Sequence, residues 1–285
     1  MRLPSGAVLN FSGPAIVMAI INCNEDSFYA PSRALGEAAV EKALAAENEG
    51  AAIVDFGAES SRPGASYISE EEELKRLIPV ISAFKKRSSL PVSADTRKAA
   101  VARAAIDAGA DITNDISALN DDPKMAAVCA EKRAAVVLMH KKGVPLTMQE
   151  NPSYSNVAEE ISAFFKDAAK RALSAGISPE KIILDPGIGF GKGLKDNLQI
   201  IRLLAEICGK DYPILVGLSR KSFIGEIASR HGAACHGLAQ DAEDRLAGTL
   251  AANAAAILAG ADIIRVHDVK EHVDLARVLF SIAKE

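Results

Sequence analysis

The chain has few cysteines, and they are scattered. Cys23, Cys129, Cys208 and Cys235 are the only four in 285 residues, and no Cys-x-x-Cys pair occurs among them. Disulfide-stabilised domains and structural zinc sites both need several cysteines at close, regular spacings. The sequence therefore indicates neither, and it predicts a cytoplasmic protein with reduced thiols.

An excess of positive charge and a long hydrophobic run are also missing. The 33 basic residues are outnumbered by 37 acidic ones, which gives a net charge of -4. Nucleic acids and anionic membranes are recognised by clustered basic surfaces, so neither is a predicted partner. Pro4, Gly13 and Pro14 interrupt any early signal-peptide core, and the Ala-rich run after Leu250 contains Asn253. No segment is typical of a signal peptide or a membrane span.

The hydrophobic pattern predicts eight alternating strands and helices. Because (β/α)8 barrels are built from such units, we expect residues 1–285 to form a single-domain TIM barrel. Residues 1–14, broken by Pro and Gly, are expected to form a short hairpin or arm that closes one end. A doubly wound open sheet is the alternative, but no Gly-rich dinucleotide turn follows the first strand. The predicted strands are 16–21, 52–56, 91–94, 111–116, 135–139, 181–184, 213–217 and 262–266. The predicted helices are 36–49, 70–87, 98–108, 123–131, 157–175, 195–208, 241–259 and 270–283.

The stretch KIILDPGIGFGKG, residues 181–193, joins a buried strand to a glycine-rich turn. Pro186 ends the strand, and four glycines within seven residues allow the backbone to turn tightly beside a ligand. We therefore expect Asp185 to face a pocket. The alternative is that Asp185 only caps a helix or tightens a turn, as Asp does in many Asp-Pro-Gly segments.

Polar residues recur at the ends of the predicted strands. In a TIM barrel these ends form the active site, because the loops after the strands converge there. Each such residue alone could be a helix cap or a satisfied buried polar group, but together they predict a ligand site. They are Asn22, Asp55, Asp95, Asn114, Asp115, Met139, His140, Asp185, Ser219, Arg220, Lys221, Arg265 and His267.

These residue types favour two kinds of ligand contact. Asp95, Asn114, Asp185 and Lys221 can hydrogen-bond the edge of a flat heterocycle that carries N–H donors and a carbonyl. A second group follows strands seven and eight, where barrels commonly bind phosphate. That group is Ser219, Arg220, Arg265 and His267. The substrate is thus predicted to combine a heterocycle with a phosphate group. No Ser-His-Asp or Cys-His set is indicated, so electrostatic rather than covalent catalysis is favoured.

As a set, the strand-end motifs resemble those of the dihydropteroate synthase family of pterin-binding enzymes, over about residues 16–271. The motifs are INCNEDSF, DFGAESSRPGA, SADTRK, ITNDISAL, LMH, ILDPGIGFGK, GLSRKSFIG and DIIRVHDVKE. The resemblance implies a transferase of folate biosynthesis. Such an enzyme joins 6-hydroxymethyl-7,8-dihydropterin diphosphate to p-aminobenzoate, releases pyrophosphate, and is a target of sulfonamides.

The resemblance also implies roles for individual residues. Residues implied to hold or face the pterin are Asp95, Asn114, Met139, Asp185, Phe190, Lys221 and Arg265. Residues implied to meet the diphosphate are Asn22, Arg265 and His267, with Asn22 acting through Mg²⁺. Residues implied to outline the p-aminobenzoate site are Phe28, Ser61, Arg62, Pro63, Lys221 and Ser222. Residues expected to act in catalysis are Asp26, Asp95, Lys221 and Arg265. A homodimer through the last two barrel helices is implied as well, in agreement with the many small residues between Ala242 and Gly260.

The chain departs from the family pattern in its first loop. Where the family usually has N-V-T-P-D-S-F-S-D, this sequence reads Asn22 to Ala30, NCNEDSFYA, so the second Asp is replaced by Ala30. Asn24 and Glu25 also differ, whereas Ser61 keeps the hydroxyl of the commoner Thr. Two alternatives remain: a non-catalytic pterin-binding protein, and a related barrel methyltransferase that uses methyltetrahydrofolate. The second would not need the anion-binding motifs.

Overall fold

The barrel wall consists of parallel strands in a computed structural model that describes residues 1–23, 32–60, 67–144, 147–150, 152–230 and 245–284. The eight strands found there pair in the order β6-β5-β4-β3-β2-β1-β8-β7. A parallel bridge between Leu184 and Ile214 joins β6 to the residue before β7, so the barrel is nearly closed. The predicted TIM barrel is confirmed. The strands are β1 Ile16–Asn22, β2 Ile53–Gly57, β3 Val92–Asp95, β4 Ile112–Asp115, β5 Ala135–Met139, β6 Ile182–Asp185, β7 Leu215–Val216 and β8 Ile263–Val266.

Helices follow the strands and cover the outside of the barrel. α2 illustrates the local signals: Ser69 accepts a hydrogen bond from the backbone N–H of Glu72, at 3.1 Å, and glutamates fill the first turn. No helix in the described ranges is long and apolar enough to cross a membrane. The helices are α1 Ser32–Asn48, α2 Glu70–Lys85, α3 Ala99–Asp107, α4 Met125–Lys132, α5 Val157–Ser174, α6 Leu194–Arg202, α7 Leu204–Cys208, α8 Ser222–Arg230, α9 Leu246–Leu258 and α10 Val269–Lys284.

Two helical segments differ from the prediction. The predicted helix 195–208 is divided at Leu203, whose φ of -108° and ψ of 25° leave the helical region. α8 was not predicted at all, although Phe223, Ile224 and Ile227 recur at helical spacing within SFIGEIASR. The predicted helix 241–259 is described from Leu246 onward as α9.

The first residues form the expected hairpin. Arg2 and Val8 make an antiparallel bridge, and Leu3 and Leu9 are buried beneath the barrel. The backbone N–H of Ser5 donates to Asp111 at 2.9 Å, which fixes the hairpin to β4. The hairpin therefore covers the amino-terminal ends of the strands, opposite the predicted site.

The inside of the barrel changes from apolar to polar along β2, β4 and β8. Side chains alternate between the two faces of a strand, so residues two apart point to the same side. Ile53, Ile112 and Ile263 belong to one apolar cluster in the interior. Two residues further along these same three strands come Asp55, Asn114 and Arg265. The sequence thus places an apolar lower layer beneath a polar upper layer, which faces the loops after the strands.

Candidate active site

Arg265 lies at the centre of the polar layer. Its Nε donates to Oδ2 of Asp55 at 2.6 Å, and its Nη2 donates to Oδ2 of Asp95 at 2.8 Å. Nδ2 of Asn114 also approaches Oδ2 of Asp55, at 3.3 Å. The guanidinium therefore joins the end of β8 to the ends of β2 and β3, and Asp55 extends the connection to Asn114 at the end of β4.

Asp55 was predicted to lie among the strand-end residues of the site, but it was given no individual role toward the ligand. It is fully buried, and it contacts both Arg265 and Asn114. Its position two residues after Ile53, on the inward face of β2, is the signal that could have identified it. A buried carboxylate at that position must have a cationic partner, because an isolated one would be strongly disfavoured.

The charges of this layer influence one another. Burial raises the pKa of Asp95 above its ordinary value, although the nearby Arg265 opposes the shift. Burial also acts to lower the pKa of Arg265, but Asp55 and Asp95 outweigh it and raise the pKa, so the guanidinium stays charged. The site thus keeps a permanent cation between two carboxyl groups.

Two buried side-chain oxygens in this layer accept no hydrogen bond from the described residues. Oδ1 of Asp55 and Oδ1 of Asn114 have no hydrogen-bond partner within the described part of the chain. Buried polar atoms are normally satisfied, and unsatisfied ones cost free energy. These acceptors are therefore suited to N–H groups of a bound molecule.

The loop after β6 is shaped by two glycines. Gly187 and Gly191 have φ of 64° and 66°, and a Cβ on either would collide with a carbonyl oxygen, of His140 or of Lys142. Oδ1 of Asp185 accepts the backbone N–H of Gly187 at 2.7 Å. One oxygen of Asp185 therefore tightens the turn, as the alternative interpretation held. The role of its carboxylate toward a ligand stays a prediction.

Lys192 holds this loop from inside, a role that the sequence did not reveal. Its ammonium donates to the carbonyl oxygens of His140, Gly187 and Phe190 at 3.2, 2.9 and 3.0 Å. Burial lowers the pKa of Lys192 to about 7, with Asp185 opposing the shift. The position of Lys192 inside the glycine-rich motif was the available signal, since bent loops leave carbonyl groups without backbone partners.

Lys221 lies near Asp185 and the same loop. Its ammonium donates to the carbonyl oxygen of Ile188 and lies 4.6 Å from the centre of the Phe190 ring. Burial lowers the pKa of Lys221 to about 8, although the charge of Asp185 opposes the shift. The loops after β6 and β7 thus meet at Lys221, whose pKa is closer to neutral than that of an exposed lysine.

Ser219 and Arg220 join the loops after β7 and β8. Oγ of Ser219 lies 3.0 Å from Nδ1 of His267. The guanidinium of Arg220 binds both carboxylate oxygens of Asp268, at 3.0 and 2.5 Å. Burial acts to raise the pKa of Asp268, but Arg220 outweighs it and lowers the pKa, so the carboxylate is ionised. The sequence grouped Arg220 with the phosphate-binding residues, whereas the structure pairs its guanidinium with Asp268.

The remaining predicted residues fall into two groups. Asn22, Ser222 and His267 are exposed at the ends of β1, β7 and β8, Met139 is buried opposite Asp185, and Phe190 is half-buried. The other group lies outside the described residues: Asn24, Glu25, Asp26, Phe28, Ala30, Ser61, Arg62 and Pro63.

Cys23 and His140 show no sign of acting as a nucleophile and base. Burial raises the pKa of Cys23 to about 12, and Asp55 adds to the shift, so the thiol stays protonated. Burial lowers the pKa of His140 to about 3, and its ring packs edge-on against Phe164, with ring centres 4.8 Å apart. Both behave as packing residues.

A (β/α)8 barrel with charged strand ends and unpaired buried acceptors is the architecture of an enzyme that binds a polar heterocycle. The model of the family "Pterin binding enzyme" matches residues 18–267. A dihydropteroate synthase from Synechocystis sp. is 41% identical over 278 residues, which are 97% of this chain and 93% of that protein. The chain belongs to the pterin-binding enzyme family.

Solved structures agree. Dihydropteroate synthase from Xanthomonas albilineans with 4-aminobenzoic acid is 39% identical, with a TM-score of 0.89 over 100% of this chain and 98% of that one. The same enzyme in complex with 7,8-dihydropteroate is 37% identical, with a TM-score of 0.87 over 100% of both chains. The fold is therefore shared over nearly the whole chain with solved structures that contain 4-aminobenzoic acid or 7,8-dihydropteroate.

Proposed function

We propose that the chain is a dihydropteroate synthase. It joins 6-hydroxymethyl-7,8-dihydropterin diphosphate to p-aminobenzoate and forms 7,8-dihydropteroate and pyrophosphate, a step of folate biosynthesis. The observation that carries the proposal is the Arg265 cluster, with Asp55, Asp95 and Asn114 held together and two buried acceptor oxygens left unpaired. Nearly full-length relatives with this activity support it.

The pterin fits the polar layer by its donor and acceptor pattern. Its amino and ring N–H groups are donors for Asp55, Asn114 and Asp185, and its carbonyl is an acceptor for Lys221. Met139 lies opposite Asp185 in the strand register and offers an apolar surface for the flat ring. Charge-assisted hydrogen bonds in a buried site are the strong ones, so this layer supplies most of the recognition.

The diphosphate would extend toward the exposed strand ends. His267 and Asn22 lie there, and Arg265 has N–H donors beyond the two that bind Asp55 and Asp95. Within the described residues no group of three His, Cys, Asp or Glu residues is placed to hold a metal. One amide oxygen, from Asn22, therefore fits a Mg²⁺ ion that arrives on the diphosphate rather than a preformed site. The bound ion would neutralise charge on the departing pyrophosphate.

The p-aminobenzoate would bind beside Lys221, at the amino-terminal end of α8. Ser222 is the first residue of α8, and helix amino-termini favour carboxylates because their N–H groups are unpaired. In the reaction the C–O bond to the diphosphate breaks, and the electron pair leaves with pyrophosphate. The aryl amine then forms the C–N bond and releases a proton. Asp95 and Asp185 stabilise the cationic pterin formed in between, and no enzymic nucleophile is needed.

A homodimer and a cytoplasmic location belong to the same proposal. Leu258 on α9 is 73% exposed, and Val278 and Ile282 on α10 are 57% and 68% exposed. These apolar side chains lie on two helices that pack side by side, where water contact is unfavourable. Burying this surface against a second copy of the chain removes that cost.

Pyrophosphate release tests the function. Purified protein is mixed with pterin diphosphate, p-aminobenzoate and Mg²⁺, and both pyrophosphate and dihydropteroate are measured. We expect the two products in equal amounts, loss of turnover with EDTA and recovery with added Mg²⁺, and competition by a sulfonamide against p-aminobenzoate. Binding of pterin diphosphate without product would replace the proposal with the non-catalytic alternative.

A further inference from the structure

Arg220 has an unusual backbone. Its φ is 57°, in the left-handed region that residues other than glycine rarely adopt. Such a conformation persists only where surrounding contacts impose it, and it is common at functional sites. The residues on either side, Ser219 and Lys221, both belong to the site described above.

α9 supplies the contacts that hold this backbone. The N–H of Arg220 donates to Oγ1 of Thr249 at 3.0 Å, and the carbonyl of Arg220 accepts from Nη1 of Arg245 at 3.0 Å. Oγ1 of Thr249 in turn donates to the carbonyl of Arg245 at 2.7 Å. Both the N–H and the carbonyl of Arg220 are therefore hydrogen-bonded to side chains at the start of α9.

Asp268 holds the side chain of the same residue. The guanidinium makes a bidentate pair with the carboxylate, a geometry that fixes orientation as well as distance. The carbonyl oxygen of Asp268 accepts a hydrogen bond from Nδ1 of His272 at 2.5 Å. Nε2 of His272 lies 3.0 Å from Nδ2 of Asn253 on α9. Asp268 is thus fixed by α10 and, through His272, by α9.

We infer that Arg220 and Asp268 are positioning residues for the reaction: the pair fixes the turn after β7 so that Lys221 points to the pterin and Ser219 to His267. The opposite directions of these neighbours follow from the left-handed residue between them. Lys221 reaches the loop after β6, at Ile188, whereas Ser219 contacts His267 after β8. The inference rests on the proposed function only for the identity of the ligand.

Binding of a pterin without phosphate separates this role from a direct contact with the diphosphate. We compare Arg220→Lys, Asp268→Asn and the double variant in the full chain, and measure affinity for 6-hydroxymethylpterin and for inorganic pyrophosphate. We expect each single variant to lose about tenfold or more in affinity for the phosphate-free pterin, and the double variant to lose no more, because both residues act as one unit. Asp268→Glu, which keeps the charge, should restore part of the affinity.

A direct phosphate contact predicts the opposite pattern. Arg220→Lys would then weaken only pyrophosphate binding, and Asp268→Asn, which releases the guanidinium, would leave pyrophosphate binding equal or tighter. That pattern would overturn the inference. Glu131→Gln is the matched control, because Glu131 forms a bidentate pair with Arg103 at the surface, at 2.8 and 2.7 Å. It should leave both affinities unchanged.

A measurement on the ligand-free protein keeps the test independent of the proposed function. Hydrogen–deuterium exchange of the peptide that covers residues 215–224 should accelerate in Asp268→Asn and in Thr249→Val, which removes the acceptor for the N–H of Arg220. It should not change in Glu131→Gln. All variants are compared at a temperature where circular dichroism shows them folded. Unchanged exchange in both Asp268→Asn and Thr249→Val would refute the positioning role, whatever ligand the protein binds.

Discussion

Arg265 at the end of β8 donates a hydrogen bond of 2.6 Å to Asp55, which lies 210 residues earlier in the chain. The contact can form only when the barrel brings β8 beside β1 and β2, so site assembly and barrel closure depend on each other. Asp55 is fully buried, and without Arg265 its charge would be strongly unfavourable. This relationship gives the first prediction.

Asp55→Asn should weaken both the fold and pterin binding. The amide removes the negative charge that stabilises Arg265 and can place an N–H against Nδ2 of Asn114. We expect the free energy of unfolding to fall by roughly 3 kcal/mol. Urea denaturation measures it, and calorimetry measures pterin affinity. The exposed control Glu131→Gln should change stability far less, because water screens exposed ion pairs. Equal losses in the two variants would contradict a central role for Asp55.

Asp185→Asn tests the carboxylate of the glycine-rich loop. The variant keeps an oxygen for the N–H of Gly187 but offers an amide donor to the donors of the pterin. Charge-assisted hydrogen bonds contribute about 1.5 to 3 kcal/mol, so pterin affinity should drop about 10- to 100-fold. Asp196→Asn is the control, since Asp196 accepts the N–H of Gly193 in the same loop. Unchanged affinity in Asp185→Asn would remove this residue from the ligand site.

Lys192→Met should change how stability depends on pH. The folded chain releases the Lys192 proton near pH 7, while the unfolded chain keeps it up to the ordinary pKa of 10.5. Between these values the unfolded state binds more protons, so the stability of the wild type rises with pH, by at most about 1.4 kcal/mol per pH unit. The variant lacks this rise. Below pH 7 Lys192 is protonated in both states and the difference between the proteins is constant.

Urea denaturation at pH 7, 8 and 9 measures the Lys192 effect as the difference between wild type and variant. Taking the difference cancels the groups that titrate in both proteins. Lys195→Met, at an exposed position of α6, is the control and should follow the wild type at every pH. A difference that does not vary with pH would show that Lys192 keeps its proton across this range.

Leu258→Lys should separate the proposed dimer into monomers. Leu258 is the most exposed large hydrophobic side chain in the described residues, at 73%, and a lysine ammonium in a buried apolar interface is strongly unfavourable. Sedimentation at micromolar concentration distinguishes the two states. Leu173→Lys, at a leucine of α5 that is 41% exposed, should leave the dimer intact. A wild-type protein that sediments as a monomer would end the dimer proposal.

Asp26→Ala tests the loop after β1, in which Ala30 replaces the second Asp of the family pattern. Asp26 is expected to stabilise the cationic pterin, so its loss should slow pyrophosphate release by roughly 10²-fold. Ala30→Asp restores the acidic residue common in the family and should raise the rate or leave it unchanged. A rate for Asp26→Ala equal to that of the wild type would assign the role to other residues.

Most of the fold could be predicted because the periodicity of the apolar residues and the positions of glycine and proline indicate the same element boundaries. Each strand overlaps a predicted apolar β-type run, and the inward residues of β2, β4 and β8 become polar near the strand end. β7 spans just Leu215–Val216, and α8 begins within the motif GLSRKSFIG, which the prediction left outside any helix. Leu203 breaks a helix through a backbone rotation that no proline or glycine at this position announces.

The site was harder to predict where partners come from distant parts of the chain. Asp185 was recognisable from its own segment, since Pro186 and the glycines surround it. Asp55, Lys192 and Asp268 act through contacts with residues on other loops, and their types alone do not reveal those contacts. For Arg220 the residue type favoured an anion, but its actual partner, Asp268, lies 48 residues away.

The two layers inside the barrel contribute differently: the apolar layer favours stability, and the polar layer favours ligand binding. The lower layer, with Ile53 and Ile112, stabilises the fold, because apolar side chains fill this part of the interior and the cluster contains no charged residue. The upper layer buries Asp55 fully and Asp95 and Arg265 largely, although a well-packed apolar set of equal volume would often make a barrel more stable. Sequence changes that increase heat resistance are therefore expected in the apolar layer around Ile53. They are not expected in the polar layer around Asp55, two residues further along the same strand. The protein retains a less stable upper half because that half is where a substrate completes the hydrogen bonds.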